Sequence, residues 1–351
     1  MESESALDWK KGVKNLMESS PKLKKLPPQF VLPLETNPLS VNYAEIPIID
    51  LSGLNGASHT RVSTVKAIAS ACQHWGIFTI INHGISEALK EEMMKVGEEF
   101  FSLNLREKMK YASDDVMSSV RYGTSLNTSK KHDLHWRDFF RHYGHPFEET
   151  FHLWPLNPPQ YRNVAREYLD EVRQMAMKIV GAISESLGLE SRYIEECLGE
   201  GVQILAANYY PPCPEPHKTL GLAPHSDHGA LTILTQNGVD GLQIKHHQTW
   251  LAVHHLPASF LVNIGDYFEI LSNGKYKSVE HRATVNAQRT RISIAVGHGP
   301  HLSSLIGPAA PLVDEKEVIQ YEPIKYEDYI RLQQSSTVRG KSALQALRPN
   351  K

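Results

Sequence analysis

The chain has 351 residues, 41% of them hydrophobic and 22% charged, with a formal net charge of −2. This is ordinary globular composition with enough apolar residues for a large core, and the near-neutral balance gives no electrostatic case for binding nucleic acid or an anionic membrane. Three cysteines without paired spacing, an amino-terminal stretch MESESALDWKKGVKNLMESS lacking an apolar core, and no run approaching ~18 apolar residues predict a reduced, cytoplasmic setting without signal peptide or membrane span.

Residues 1–40 are polar, with Lys-rich patches and prolines at 27, 28, 33 and 38, which predicts a helix followed by an extended, solvated leader. IPIIDL (46–51) has strand composition. Val62, Val65, Ile68, Ala69 and Cys72 recur at helical spacing, so 60–74 is predicted as an amphipathic helix. GIFTIIN (76–82) reads as a buried strand, and Leu89, Met93, Val96 and Phe100 mark a helix over 86–101. His74 and His83 fall at element ends, where a structural role is commoner than a metal ligand. Residues 112–160 have weak periodicity: YGTSLN (122–127) looks like a loop and LHWRDFFRH (134–142) like a short strand. Long irregular segments of this kind tend to be functional lids.

Val164, Tyr168, Val172, Met175, Ile179, Ile183 and Leu187 define a long amphipathic helix from 161 to 187, with a short helix at 190–198 behind it. From 202 the texture changes to short β-type runs separated by Gly, Asn and Pro: ILAANYY, LTILTQ, LQIKH, TWLAVHH, SFLVNIG, ATVN and RISIAVGH. That pattern predicts an antiparallel sandwich or barrel. Helical spacing returns at 323–334, and the tail LQALRPN is polar enough to be loose. The expected fold class is therefore α+β, a jelly-roll core at 201–305 supported by a helix-rich region at 1–200 and a helix and tail at 306–351, in one compact unit.

Within that core lie His225-Ser226-Asp227 and, 54 residues after Asp227, His281. His-x-Asp on an extended strand puts both side chains on one face, and a distant His completes a cap of two imidazoles and one carboxylate. That ligand set suits Fe(II) and also Zn. Among 18 histidines such a pattern alone is more often coincidence than not. Arg291-Ile292-Ser293 repeats the alternation ten residues past His281, placing a guanidinium and a hydroxyl on one face as a carboxylate receptor. A metal triad beside such a receptor calls for a co-substrate that chelates at one end and is salt-bridged at the other, which 2-oxoglutarate fits. His228 is expected to point away from the metal. His246-His247 and His254-His255 flank a hairpin and read as exposed turn histidines rather than a second metal site.

Longer motifs surround these residues: Asn208-Tyr209-Tyr210-Pro211-Pro212-Cys213, Gly221-Leu222-Ala223-Pro224-His225-Ser226-Asp227, Asp240-Gly241-Leu242-Gln243, Val262-Asn263-Ile264-Gly265-Asp266 and SNGKYKSVEHR (272–282). With IPIIDLSGL (46–54), ACQHWGIFTIINHGI (71–85) and FFSLNLREKMKY (100–111), they make the chain resemble, over nearly its whole length, the plant Fe(II)/2-oxoglutarate-dependent dioxygenases, the group that includes anthocyanidin synthase and flavonol synthase. The resemblance implies a double-stranded β-helix, Fe(II) held by His225, Asp227 and His281, and 2-oxoglutarate held by Arg291 and Ser293 with help from Tyr210 and with Asn208 alongside. It also implies ascorbate as reductant, and oxidation of a small molecule by O2, by default a hydroxylation, with release of succinate and CO2.

For the substrate, the resemblance points to Phe139 and Arg141 as contacts, against a reading with Phe139 in the core and Arg141 as a surface charge. Ala206, Gly297 and Gly299 stand where relatives carry larger or charged groups, which implies a roomier cavity for an apolar or multi-ring molecule. Tyr267 departs from the family pattern and either narrows one wall or packs. A monomer is expected. The alternatives are a same-fold oxidase that does not use 2-oxoglutarate, a Zn-dependent hydrolase, and a catalytically silent binding protein.

Overall fold

The computed structural model describes residues 12–34, 37–124, 134–313, 318–335 and 340–349. Residues 1–11 of the polar leader and the second half of the YGTSLN stretch lie outside the described residues.

The longest helix, Tyr161–Ser186, contains no proline and buries Tyr161, Ala165, Tyr168, Val172, Ile179 and Ile183 along one face. It packs against the helices Ser58–His74 and Glu87–Ser102. The second of these starts where the Ser86 hydroxyl accepts from the amide of Leu89 at 3.2 Å, satisfying one of the free donors of the first turn. Together they form a helical layer whose apolar faces have to be covered by something broad, and a sheet supplies it.

Among the described residues, fifteen strands follow in chain order: β1 (Asn42–Tyr43), β2 (Ile48–Asp50), β3 (Ile77–Ile81), β4 (Val120–Gly123), β5 (Asp138–His145), β6 (Val202–Tyr210), β7 (Leu222–His225), β8 (Leu231–Gln236), β9 (Leu242–His246), β10 (Thr249–Ala252), β11 (Phe260–Ile264), β12 (His281–Ala283), β13 (Arg291–Gly299), β14 (Leu305–Ile306) and β15 (Ile324–Lys325). Eight of them form one sheet in the order β2-β3-β11-β8-β13-β6-β5-β4, and five form a second in the order β1-β10-β9-β12-β7. The two sheets are the layers of the expected jelly roll. β2 to β5, from the amino-terminal region, extend the eight-stranded sheet at both edges.

Side chains on a strand alternate between faces, and here the alternation sorts chemistry. On β13, Ile294 and Val296 enter the helix-covered core, while Arg291, Ser293, Ala295 and Gly297 turn inward, between the sheets. On β8, Leu231 and Ile233 go outward and Thr232 and Leu234 inward. β6 sends Leu205 and Ala207 to the helices and Ala206, Asn208 and Tyr210 to the interior. The apolar half of each strand fixes the sheet on the helices and thereby sets which residues can meet inside.

Three local features differ from the sequence expectation. GDYFEIL continues from β11 into a short buried helix, Asp266–Leu271, because its hydrophobic residues are buried all round and no period betrays it. The β9–β10 hairpin turns at His247 and Gln248, both at positive φ (46° and 66°), so His247 is part of the turn rather than beside it. The tail is not loose: Ser342–Ala346 is helical and buries Ala343 and Leu344, with Leu347 following. Among the described residues, no helix is long and apolar enough to cross a membrane.

Candidate functional site

His225 ends β7, Asp227 lies two residues beyond it, and His281 opens β12, which pairs with β7 so that His281 stands opposite His225. The two Nε2 atoms are 3.8 Å (His225) and 3.7 Å (His281) from Asp227 Oδ1, and the three ligand atoms all lie within 4.8 Å of one another. These separations are too long for hydrogen bonds and fall just below twice a metal–imidazole bond of roughly 2.1 Å. The Nδ1 atoms of His225 and His281 meet the carbonyls of Ala223 at 2.8 Å and Val279 at 3.1 Å. A carbonyl only accepts, so Nδ1 carries the proton in each ring and the Nε2 lone pairs converge on the centre, the tautomer a metal requires.

Burial, reinforced by His281 and opposed by Asp227, depresses the His225 pKa to about 4, so the ring is neutral at physiological pH. Burial alone would raise the Asp227 pKa; the two imidazoles and hydrogen bonds from Thr232 and Asn263 outweigh it and hold the carboxylate below its ordinary value. Asn263 Nδ2 donates to Asp227 Oδ2 at 3.3 Å. A neutral His225 imidazole beside an ionised Asp227 carboxylate suits the binding of a divalent cation. Among the described residues this is the one group of His, Cys and acidic side chains with ligand spacing.

Behind the triad, Asp266 is fully buried. Its Oδ1 accepts from Ser278 Oγ at 2.6 Å, and its Oδ2 accepts from Ser226 Oγ at 2.9 Å and Tyr329 Oη at 2.7 Å. One carboxylate therefore ties the loop carrying Asp227, the segment leading to His281 and the helix Tyr326–Gln333. Burial pushes its pKa up to about 6 against those three donors.

Across the cavity, strand register arranges the inward residues in rows. Tyr210 faces Arg291; Asn208 faces Phe139 and Ser293, and Ser293 faces Gln236; Ala206 faces Arg141 and Ala295, and Ala295 faces Leu234; Ile204 faces Gly297, which faces Thr232. The first two rows are polar and the next two largely apolar with small side chains. Arg291 is buried, its Nε and Nη2 donate to Gln236 Oε1 at 3.2 and 2.7 Å, and its guanidinium lies 4.9 Å over the Tyr210 ring. Nη1 has no partner among the described residues. An unsatisfied buried guanidinium nitrogen beside a serine and a tyrosine fits a carboxylate. Gly241 and Gly221 make room for this row, since a Cβ would come within 2.7 Å of Arg291 Cδ and 2.4 Å of Tyr210 Cδ1.

The structure brings His225, Asp227, His281, Asn208, Tyr210, Arg291 and Ser293 to one cavity, together with Arg141, Ala206, Gly297 and Gly299. Phe139 and Tyr267 do not line it. Phe139 is buried against the guanidiniums of Arg121 and Arg137, at 5.3 and 5.0 Å from its ring centre, and Tyr267 is buried in the helix-side core on Asp266–Leu271. His228, expected to point away, does line the cavity, and its Nδ1 meets Tyr326 Oη at 2.7 Å. The paired histidines stay apart from the site: His246 stacks on Trp75 and His254 on Tyr43.

Sequence reasoning missed Gln236, Asn263, Arg137 and the Gln333-Gln334 end of the C-terminal helix, where Gln333 Nε2 donates to Ser226 O at 2.7 Å. Alternation within LTILTQ put Gln236 on the Thr232–Leu234 face, but only register shows that this face meets Ser293.

The comparisons with known proteins agree with this geometry. The family model of the 2OG-Fe(II) oxygenase superfamily matches residues 201–300, and that of the non-haem dioxygenase in morphine synthesis N-terminal region matches 46–161. Flavanone 3-dioxygenase 2 from Oryza sativa subsp. japonica is 42% identical over 310 residues, 87% of this chain and 89% of that protein. Protein DOWNY MILDEW RESISTANCE 6 from Arabidopsis thaliana is 41% identical over 87% of this chain and 90% of that protein. A crystal structure of JOX2 in complex with 2OG, Fe and JA superposes with a TM-score of 0.87 at 34% identity, covering 96% of this chain and 97% of the other.

Proposed function

The chain belongs to the 2OG-Fe(II) oxygenase superfamily, and from that membership we propose that it oxidises an apolar, ring-bearing small molecule, most simply by hydroxylation: substrate–H + 2-oxoglutarate + O2 gives substrate–OH + succinate + CO2. The protein is a 2-oxoglutarate- and Fe(II)-dependent dioxygenase of the plant type, for which ascorbate is the usual reductant. In our reading His225, Asp227 and His281 hold the iron. When bound, the Fe(II) supplies the redox chemistry that couples O2 and 2-oxoglutarate turnover to oxidation of the substrate.

This chain's residues then bind and orient. The backbone carbonyls of Ala223 and Val279 keep both imidazoles in the ligating tautomer. Arg291, Ser293 and Tyr210 take the distal carboxylate of 2-oxoglutarate, and Asn208 stands beside it. Ala206, Ala295, Gly297 and Leu234 form the floor on which the substrate lies, with Arg141 at its edge. The observation that carries this reading is the open Nη1 of buried Arg291 in the same cavity as the converging Nε2 atoms.

The substrate class rests on the small, apolar rows of the floor, and the relatives named for a flavanone and the JOX2 complex with JA are in keeping with it. A screen of small ring compounds for substrate-stimulated succinate release tests it. Succinate formed one-for-one with O2 consumed, and only with ring compounds, is the expected result. Substrate oxidation without succinate would make the chain an oxidase that bypasses 2-oxoglutarate. Stimulation only by small polar aliphatic acids would overturn the substrate class.

A further inference from the structure

Arg137 is a cavity-lining guanidinium for which the site described so far has no use. It stands just before β5, and continuing the β5–β6 register by one residue places it opposite Tyr210, in the same row as Arg291. Its side chain is buried, and Nη1 donates to Asn208 Oδ1 at 2.9 Å. Nε and Nη2 have no hydrogen-bond partner among the described residues, although the residue lines the cavity wall. Tyr210 lies within electrostatic reach of both Arg137 and Arg291.

Among the described residues no carboxylate is bonded to this guanidinium; Asp138 acts on it only through space. Among the described residues lining the cavity, Asp227 is the sole carboxylate, and the triad uses it. Asp138, next in sequence, turns to the opposite face, where it accepts from the amides of Val13 and Lys14 and from Thr124 Oγ1. The Phe139 ring at 5.0 Å gives the guanidinium a face to lie on but accepts neither free N–H edge. A desolvated cation with open donors is costly unless a ligand completes it.

We propose that the distal carboxylate of 2-oxoglutarate is bracketed by two guanidiniums, Arg291 from β13 and Arg137 from the approach to β5, on either side of Tyr210. This rests on the reading of the Arg291 row as the co-substrate end. Arg137 also positions Asn208: by binding its Oδ1, it turns the amide nitrogen of Asn208 the other way, toward the Ala206 carbonyl at 3.3 Å. A chain with a neutral residue at 137 would bind the same co-substrate with one cation fewer.

The test is anaerobic calorimetry on the full-length Mn(II)-loaded protein, titrated with 2-oxoglutarate and with 2-oxopentanoate, which keeps the keto-acid end and lacks the distal carboxylate. Arg137→Met is expected to weaken 2-oxoglutarate by about 10- to 100-fold, the value of a charge-assisted hydrogen bond or two, and to leave 2-oxopentanoate unchanged. Arg137→Lys, which keeps the charge and loses the fork, is expected to recover part of the loss. If both ligands weaken equally in Arg137→Met, the residue only shapes the wall and the proposal fails. If 2-oxoglutarate binding survives in Arg137→Met and is lost in Arg291→Met, the proposal fails while the co-substrate reading stands. If Arg291→Met also binds normally, both fall together.

Discussion

Gln236 on β8 takes one whole edge of the Arg291 guanidinium, its Oε1 accepting from Nε at 3.2 Å and Nη2 at 2.7 Å. The clamp fixes which nitrogen of Arg291 remains open to the cavity. Gln236→Glu would set a carboxylate against the same edge and neutralise the receptor, so it should raise KM for 2-oxoglutarate roughly tenfold or more. Gln236→Leu frees the guanidinium without neutralising it and should raise KM less. Steady-state kinetics in 2-oxoglutarate at saturating substrate separates the two; equal effects would show that the clamp acts through packing alone.

Asn263 on β11 reaches the triad from the other side, donating to the Asp227 oxygen that faces away from the two histidines. Asn263→Leu is expected to weaken metal affinity about 10- to 100-fold, the usual cost of losing a group that orients a ligand. Metal retained after dialysis against a graded chelator series reads this directly. Asp227→Asn should abolish retention, since it removes the carboxylate of the proposed ligand set.

Gly297 and Gly299 differ in what a side chain would meet. A Cβ at 297 has its nearest neighbour, Thr232 Oγ1, at 3.8 Å, whereas one at 299 would sit 2.3 Å from the Tyr326 hydroxyl. Gly297→Val should therefore keep its Tm, lower substrate turnover and spare 2-oxoglutarate binding, because the new methyls occupy the substrate floor. Gly299→Ala should lower Tm, because Tyr326 and its contact with His228 must move. Thermal melts with substrate kinetics on both variants check the pair.

His142 on β5 is buried between Tyr143 O, to which Nδ1–H donates at 2.9 Å, and Tyr161 Oη, from which Nε2 accepts at 2.9 Å. Burial chiefly brings its pKa from 6.5 to about 4. Between those values the unfolded chain carries a proton there that the folded chain refuses, so stability rises with pH across the window and is lost on acidification. His142→Phe should remove up to about 1.4 kcal/mol per pH unit of that slope. Urea midpoints at pH 7 and pH 5 give the comparison: the variant, though weaker at pH 7, should lose less on going to pH 5.

Local patterning alone put helices at 60–74, 86–101 and 161–187, within two residues of the observed ends, and found most strands of the core, because each carries its apolar period in its own residues. Arg-x-Ser put Arg291 and Ser293 on one face through strand alternation, whereas His225, Asp227 and His281 were singled out by the motifs around them, and Asp227 joins the group from just past the end of β7. Asp266–Leu271 was not legible, because all six residues are buried, Asp266 and Glu269 included, and no amphipathic period marks the helix. Phe139 and Tyr267 each stood open between a substrate contact and packing, and the structure packs the first against two arginines and the second in the core.

What the sequence by itself determined was therefore the kind of chemistry: which side chains could ligate a metal and which could grip a carboxylate, and on which face of its own strand each would lie. Only the tertiary structure decided who their partners are. Register set Gln236 against Arg291 and Arg137 beside Tyr210, strands apart in sequence, because hydrogen-bonded pairing between strands is fixed by the packing of their opposite, apolar faces on the helices and leaves no trace in either strand read alone.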